Sequence, residues 1–154
     1  MRQSTNSFGT STHRESRTSA GPFDTDILSN LIRRQPSHAL LRRVALTPVE
    51  DQSTSSITVG ELYYGARRDP TRGDTLVERI AATLLPNLAV VSFDLPAARL
   101  YGEMRTNLER AGTPIGDSDT RIAAIAAANG LTVVTANTRH FERIPGLSVE
   151  NWLD

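Results

Sequence analysis

The stretch "DTRIAAIAAANGLTVVT" constrains the fold of this chain more than any other. Its first part repeats apolar residues at helical spacing and is rich in alanine, which allows helices to approach closely. Asn129-Gly130 closes that helix, because these residues accept the backbone conformation a helix end requires. "LTVVT" then reads as a strand apolar on both faces, and a strand of that kind needs a layer over each face.

The alternation recurs along the chain. In "FDTDILSNLIRR", Ile27, Leu28, Leu31 and Ile32 share one helical face, with Asp24 or Thr25 as the cap. "SHALLRRV" is a second short helix ending before the loop "TPVEDQ", and "TSSITVGELYYGARR" starts as a β-branched run that turns helical at about Gly60. "GDTLVERIAATLLP" is a helix stopped by Pro86, and "LAVVSF" is a short buried strand. Asp94 caps the next helix, with Pro96 in its first turn and Gly112 past its end. The loop "TPIGDS" precedes the alanine helix, and a brief "LSVEN" lies near the C-terminus. The expected class is α/β, a parallel sheet flanked by helices on both faces. One place fits badly: "TSAGPF", before Asp24, has a single large apolar residue and a proline, wrong for a central strand.

With 154 residues, one domain is expected, spanning residues 21–154. Residues 1–20, "MRQSTNSFGTSTHRESRTSA", offer almost nothing to bury and read as a disordered tail; their Arg and Ser content would also suit a transit peptide, a weaker reading than a misplaced start or a short natural tail. No stretch is long and apolar enough to cross a membrane. The absence of cysteine removes disulfides, thiolate metal sites and cysteine nucleophiles, and makes a cytoplasmic location the default expectation. Net charge is zero, so bulk electrostatics announces no nucleic acid. All 17 basic residues are arginine, paired at Arg33-Arg34, Arg42-Arg43 and Arg67-Arg68, with Arg72 close behind. Such forks suit phosphates, although a compositional habit of the genome explains them equally well.

Three acids occupy comparable places: Asp24 after the first expected strand, Glu61 where "SSITV" turns helical, and Asp119 at the start of the alanine helix. Asn137 follows the strand "LTVVT". Strand ends of a doubly wound sheet converge on one edge, so these side chains can face a single point. Two carboxylates about 4 Å apart repel by roughly 4 kcal/mol at an effective dielectric near 20, so such a cluster needs a proton or a cation. Oxygen ligands select Mg²⁺ or Mn²⁺, which polarises a phosphate and lowers the pKa of a bound water. Each acid also has a plain alternative. Asp24 can cap its helix, Glu61 can complete a capping box with Thr58, and Asp117, Ser118 or Asp119 can cap the alanine helix. His13, His38 and His140 lack ligand spacing and are given no catalytic role. Trp152 reads as a core plug or an interface residue.

The ordered pieces "FDTDILSNLIRR", "SSITVGELYYGA", "AGTPIGDSDTRIAAIAAANG" and "LTVVTANTRHFERIPGLSVENWL" resemble the PIN-domain ribonucleases, in particular the VapC toxins of bacterial toxin-antitoxin pairs. The resemblance covers nearly everything from Phe23 onward. It implies a three-layer PIN-like fold and a metal-dependent ribonuclease acting on RNA, with tRNA among the candidate substrates. It also implies a VapB-type antitoxin and a homodimer. By position, Asp24 and Asp119 match the family's metal ligands, Glu61 its second acid, and Asn137 a fourth acid often replaced by Asn, with Thr135 just before it. Asp26 and Asp117 are secondary candidates. "RTSAGP" departs from the apolar first strand of the family, so a poorly held Asp24, and with it a weakened or inactive interaction module, is the alternative. A haloacid-dehalogenase-like phosphatase, suggested by "DTDIL" and "GDSD", lacks the lysine that its mechanism uses.

Overall fold

The computed structural model describes residues 20–153, so the expected disorder of residues 1–19 lies outside the described residues. Five strands form one parallel sheet in the order β3-β2-β1-β4-β5. They are β1 (Ala20–Phe23), β2 (Gln52–Ser55), β3 (Ala89–Val91), β4 (Thr132–Val134) and β5 (Val149–Glu150). The helices are α1 (Thr25–Leu31), α2 (His38–Leu46), α3 (Ser56–Arg68), α4 (Gly73–Arg79), α5 (Leu95–Arg110), α6 (Asp117–Ala128) and α7 (Thr138–Glu142). Val133 and Val134 are adjacent on β4 yet belong to different apolar clusters. Val134 packs with Phe23, Leu28, Leu62 and Trp152, whereas Val133 packs with Leu108, Ile122, Ala123 and Phe141. Strand alternation therefore feeds two cores, one on each face, which is the three-layer arrangement.

The segment before Asp24 corrects the sequence reading. "AGPF" is β1, fully buried at the centre of the sheet and paired with β2 and β4, so Ala20, expected in the tail, belongs to the sheet. Few large side chains are needed because the neighbouring backbones come very close. Gly21 has φ +128°, and a Cβ there would lie 2.7 Å from the Ser53 carbonyl oxygen. Phe23 supplies the one large anchor, edge-on to Trp152 with ring centroids 5.3 Å apart, and Trp152 is thus a core residue. The Pro22 ring sits beside a register irregularity in the ladder, the place where a strand proline is tolerated.

Other boundaries also moved. β2 is the polar run "QSTS", and helix α3 starts at Ser56, so Ile57, Thr58 and Val59 are helical. Buried polar residues of β2 are satisfied locally: Thr54 Oγ1 donates to the Phe23 carbonyl at 2.8 Å, and the Gln52 amide donates to the Val44 and Thr47 carbonyls. β3 is an edge strand with Val90 exposed, not a buried one. Helix α4 continues through a wider turn at Ile80–Leu84 before Pro86 ends it. The Asp94 cap, the Pro96 first turn and the end of α5 before Gly112 are as expected.

Candidate functional site

The sheet order places the topological switch between β1 and β4. From β1 the chain winds outward through β2 and β3, then returns to β4 on the other side. The carboxyl ends of β1 and β4 part at this point, and ligands of open α/β sheets bind in such crevices. Asp24 follows β1 directly, with its backbone N–H bonded to the Val134 carbonyl at 2.9 Å. Its side chain bridges both strands' ends. Oδ1 accepts from the Thr25 N–H at 2.8 Å, which makes Asp24 the cap of α1, and Oδ2 accepts from the Thr135 hydroxyl at 2.8 Å. Cap and site residue are therefore the same carboxylate used through two oxygens. Thr135 Oγ1 in turn accepts the Asn137 N–H at 2.9 Å.

Asp26 stands one residue further into α1 and is held by two backbone donors, the N–H groups of Ile27 (2.8 Å) and Ala136 (2.9 Å). Glu61 approaches from α3, where the Thr25 hydroxyl donates to Oε1 at 3.1 Å. Ser55, not Thr58, caps that helix, with its Oγ accepting from the Thr58 N–H, so the capping-box reading of Glu61 fails. Glu61 lies on the second turn rather than at the strand end. Asp119 comes from α6, which follows α5 and no strand, and α6 has no side-chain cap. Its Oδ2 lies 2.8 Å from His140 Nδ1. A carboxylate only accepts, so in this pair Nδ1 is the donor. The Asn137 side-chain nitrogen lies 2.9 Å from the same Nδ1, but both are donors once Nδ1 serves Asp119, so Asn137 borders the cluster without bonding into it.

The electrostatics reflects crowding. Burial pushes the Asp24 carboxyl from 3.8 up to about 6; hydrogen bonds from Thr25 and Thr135 pull it back, and the charges of Asp26 and Asp119 raise it again. Burial likewise raises Asp26, against its Ala136 and Ile27 bonds and with Asp119 adding to the rise. Glu61 is raised by burial first, lowered by Thr25 and raised by Asp119. Asp119 is the common neighbour of all three. Asp24, Asp26, Glu61 and Asp119 thus lie near enough to influence one another's charge, and Asn137 stands beside His140. Among the described residues, no three His, Cys, Asp or Glu side chains stand close enough together, as placed, to hold a metal ion.

Asp117 is elsewhere. It hydrogen-bonds Tyr101 and pairs with Arg121 at 3.0 Å and Arg105 at 3.6 Å on the α5–α6 surface. His140, set aside on spacing, belongs to the cluster, and its i, i+3 relation to Asn137 across the start of α7 was the available signal. The Thr25 hydroxyl and the Ala136 N–H were missed as well.

A three-layer parallel domain with carboxylates gathered at its switch point defines the class, an α/β protein that presents an acidic centre to its ligand. Within that class the chain belongs to the PIN-domain family, which it matches over residues 23–147. It is 39% identical over 132 residues to the tRNA(fMet)-specific endonuclease VapC of Salmonella typhimurium, covering 84% of this chain and 96% of that protein. It is 33% identical over 123 residues to toxin FitB of Neisseria gonorrhoeae, covering 77% of this chain and 88% of that protein. Among solved structures it resembles VapBC2 from Rickettsia felis bound to a promoter DNA fragment, with a TM-score of 0.76 at 32% identity, covering 84% of this chain and 96% of that one.

Proposed function

We propose that this chain is a divalent-cation-dependent endoribonuclease, the toxin half of a VapBC-type toxin-antitoxin pair, with Asp24 and Asp119 as metal ligands. The observation that carries the reading is the mutual electrostatic influence of four acids near the switch point, none of them paired with an arginine among the described residues. Their donor set fits Mg²⁺ or Mn²⁺, because all the ligating atoms are oxygen and their mutual repulsion is relieved by a hard cation. Such an ion polarises a phosphodiester and lowers the pKa of a bound water. The chain's own residues supply the rest. Thr135 and the Thr25 N–H fix both oxygens of Asp24, and Thr25 Oγ1 orients Glu61. His140 Nδ1 fixes Asp119. Asn137 borders the site, and Asp26 assists from its two backbone bonds. β1 stands in the centre of the sheet, which removes the reason for a weakened site.

The Salmonella relative is named for cleavage of tRNA(fMet), so tRNA is the first substrate to test, and the Rickettsia complex makes a VapB-type antitoxin the expected partner. No helix of the described residues is long and apolar enough to cross a membrane; the cytoplasm, where the RNA is, is part of the same proposal. The homodimer implied by the resemblance belongs to the same proposal. The test incubates purified, antitoxin-free protein with total RNA, with and without Mg²⁺, and maps the new ends. Discrete cleavage that requires the cation supports the reading, and intact RNA under both conditions overturns it.

A further inference from the structure

An acidic centre repels the polyanion it is meant to cut, so the fold must supply positive charge where the rest of the strand lies. It does so along one groove. A groove of about 230 Å³ starts at Thr25 and Glu61 and runs between α1, α3 and α4 to Arg33 and Arg72. Those two arginines also line a second cavity of about 520 Å³, together with Arg34, Arg79 and Thr75, and no acid lines it. The two spaces thus share a wall, with the Glu61 carboxylate at one end and four guanidinium groups at the other.

Among the described residues none of the four arginines is in an ion pair, although Arg72 is near enough to help hold the Asp69 carboxyl below its usual range. Other arginines of the chain do have carboxylate partners, as Arg43 does with Glu150 and Arg67 with Asp74. One of the four is anchored: Arg79 Nη1 donates to the Ile32 carbonyl at 3.1 Å, which ties the last turn of α4 to the end of α1. Arg33, Arg34 and Arg72 are exposed. Guanidinium forks without a carboxylate partner match phosphate oxygens two at a time. No aromatic residue lines either space, so base stacking is not how this track would grip a strand.

We propose that the Arg33, Arg34, Arg72 and Arg79 cavity binds the phosphates of the single-stranded RNA flanking the bond cut at the acidic centre, a role that rests on the ribonuclease reading above. The contacts are with backbone phosphate and carry no base preference. They govern binding and leave the chemical step alone. The residue set is distinct from the acids: the groove joins them only through Thr25 and Glu61.

The test uses Arg34→Gln/Arg72→Gln, both exposed and away from the core, and Arg34→Lys/Arg72→Lys as the charge-retaining control. Binding of a short fluorescein-labelled single-stranded RNA of mixed sequence is followed by anisotropy in EDTA, over a range of salt. Each phosphate contact contributes about 0.7 to the log-log salt slope for a single strand, so losing two lowers the slope by about 1.4 and weakens binding roughly 25-fold at about 0.1 M salt. In Mg²⁺ the Gln variant should raise KM for the RNA with kcat unchanged, and the Lys variant should keep most of the slope. Hydrolysis of bis(p-nitrophenyl) phosphate, too short to reach the arginines, should be equal in all three proteins. If the native protein cleaves RNA but the Gln variant keeps its salt slope and KM, the proposal is overturned. It is also overturned if the variant loosens only the complex with antitoxin, which would make the arginines a site for an acidic partner protein. If the native protein hydrolyses neither substrate, the ribonuclease reading itself fails, and the anisotropy shows separately whether the arginines hold RNA.

Discussion

Asp24→Asn should make the metal-free protein more stable while destroying its response to cation. Asp24 is 6% exposed, and its carboxyl is raised from 3.8 to about 6, which at 1.36 kcal/mol per tenfold change in proton affinity corresponds to roughly 3 kcal/mol of destabilisation once the group is ionised. For a carboxyl raised in the folded state, the unfolded chain binds fewer protons between 3.8 and about 6. Stability from this group is therefore complete below 3.8 and is lost as pH rises through about 6. Asparagine caps helices as well as aspartate, so the Thr25 N–H keeps its acceptor, but the amide nitrogen must now donate to Thr135. Subtracting about 1 kcal/mol for that rearranged bond leaves a net gain of about 2 kcal/mol at pH 8. The assay is urea unfolding in EDTA at pH 4 and pH 8, repeated with Mg²⁺. Wild type should gain stability from Mg²⁺ as RT ln(1 + [Mg²⁺]/Kd), and the variant should gain none. A variant no more stable than wild type at pH 8, or equally advantaged at pH 4, refutes the argument from burial and crowding.

Three further outcomes follow from the same geometry. Asp119→Asn should lower RNA cleavage at least about 100-fold with the fold retained, because it removes one of the two carboxylates proposed to hold the cation; end-labelled RNA and a urea melt read the two effects. Thr135→Val leaves the Asn137 N–H without its acceptor and Asp24 Oδ2 without its donor, so it should cost about 1–3 kcal/mol in a urea melt. It should also move the onset of Mg²⁺ stabilisation to higher pH, since that hydroxyl is one of the groups holding the Asp24 carboxyl down. Gly21→Ala puts a Cβ 2.7 Å from the Ser53 carbonyl oxygen at φ +128°, and should cost at least about 1–3 kcal/mol, read as a lower urea midpoint with unchanged slope.

Helices were legible where their ends carry chemistry of their own. Asp94, Pro96 and Gly112 bound α5, and the alanine run with Asn129-Gly130 bounds α6, because caps and terminators act within one turn. Val133 and Val134 announced a strand covered on both faces, and the structure gives them separate cores. The acids Asp24, Glu61 and Asp119 were legible only as an ordered set. Singly, each has a competing capping role, and the structure keeps that role for Asp24 alone.

What stayed hidden depends on contacts across the sheet. β1 fails every local test for a central strand, yet three properties of its neighbours make it one. Ser53 comes so close that only glycine fits at position 21, Thr54 donates its hydroxyl to the Phe23 carbonyl, and Trp152, near the other end of the chain, closes over the Phe23 ring. None of these is visible within a window around "AGPF". The same holds for His140, whose partner Asp119 lies 21 residues away on another helix. A strand built mainly from its neighbours' backbones leaves few side chains between the sheet centre and Asp24. The position of that carboxylate is accordingly set by hydrogen bonds, from Thr25, Thr135 and its own N–H to Val134, rather than by packing. A site fixed in this way tolerates changes in the apolar layers more readily than the loss of one hydroxyl, so Thr135→Val should impair the cation response more than a volume-reducing change such as Leu28→Val of similar total stability cost.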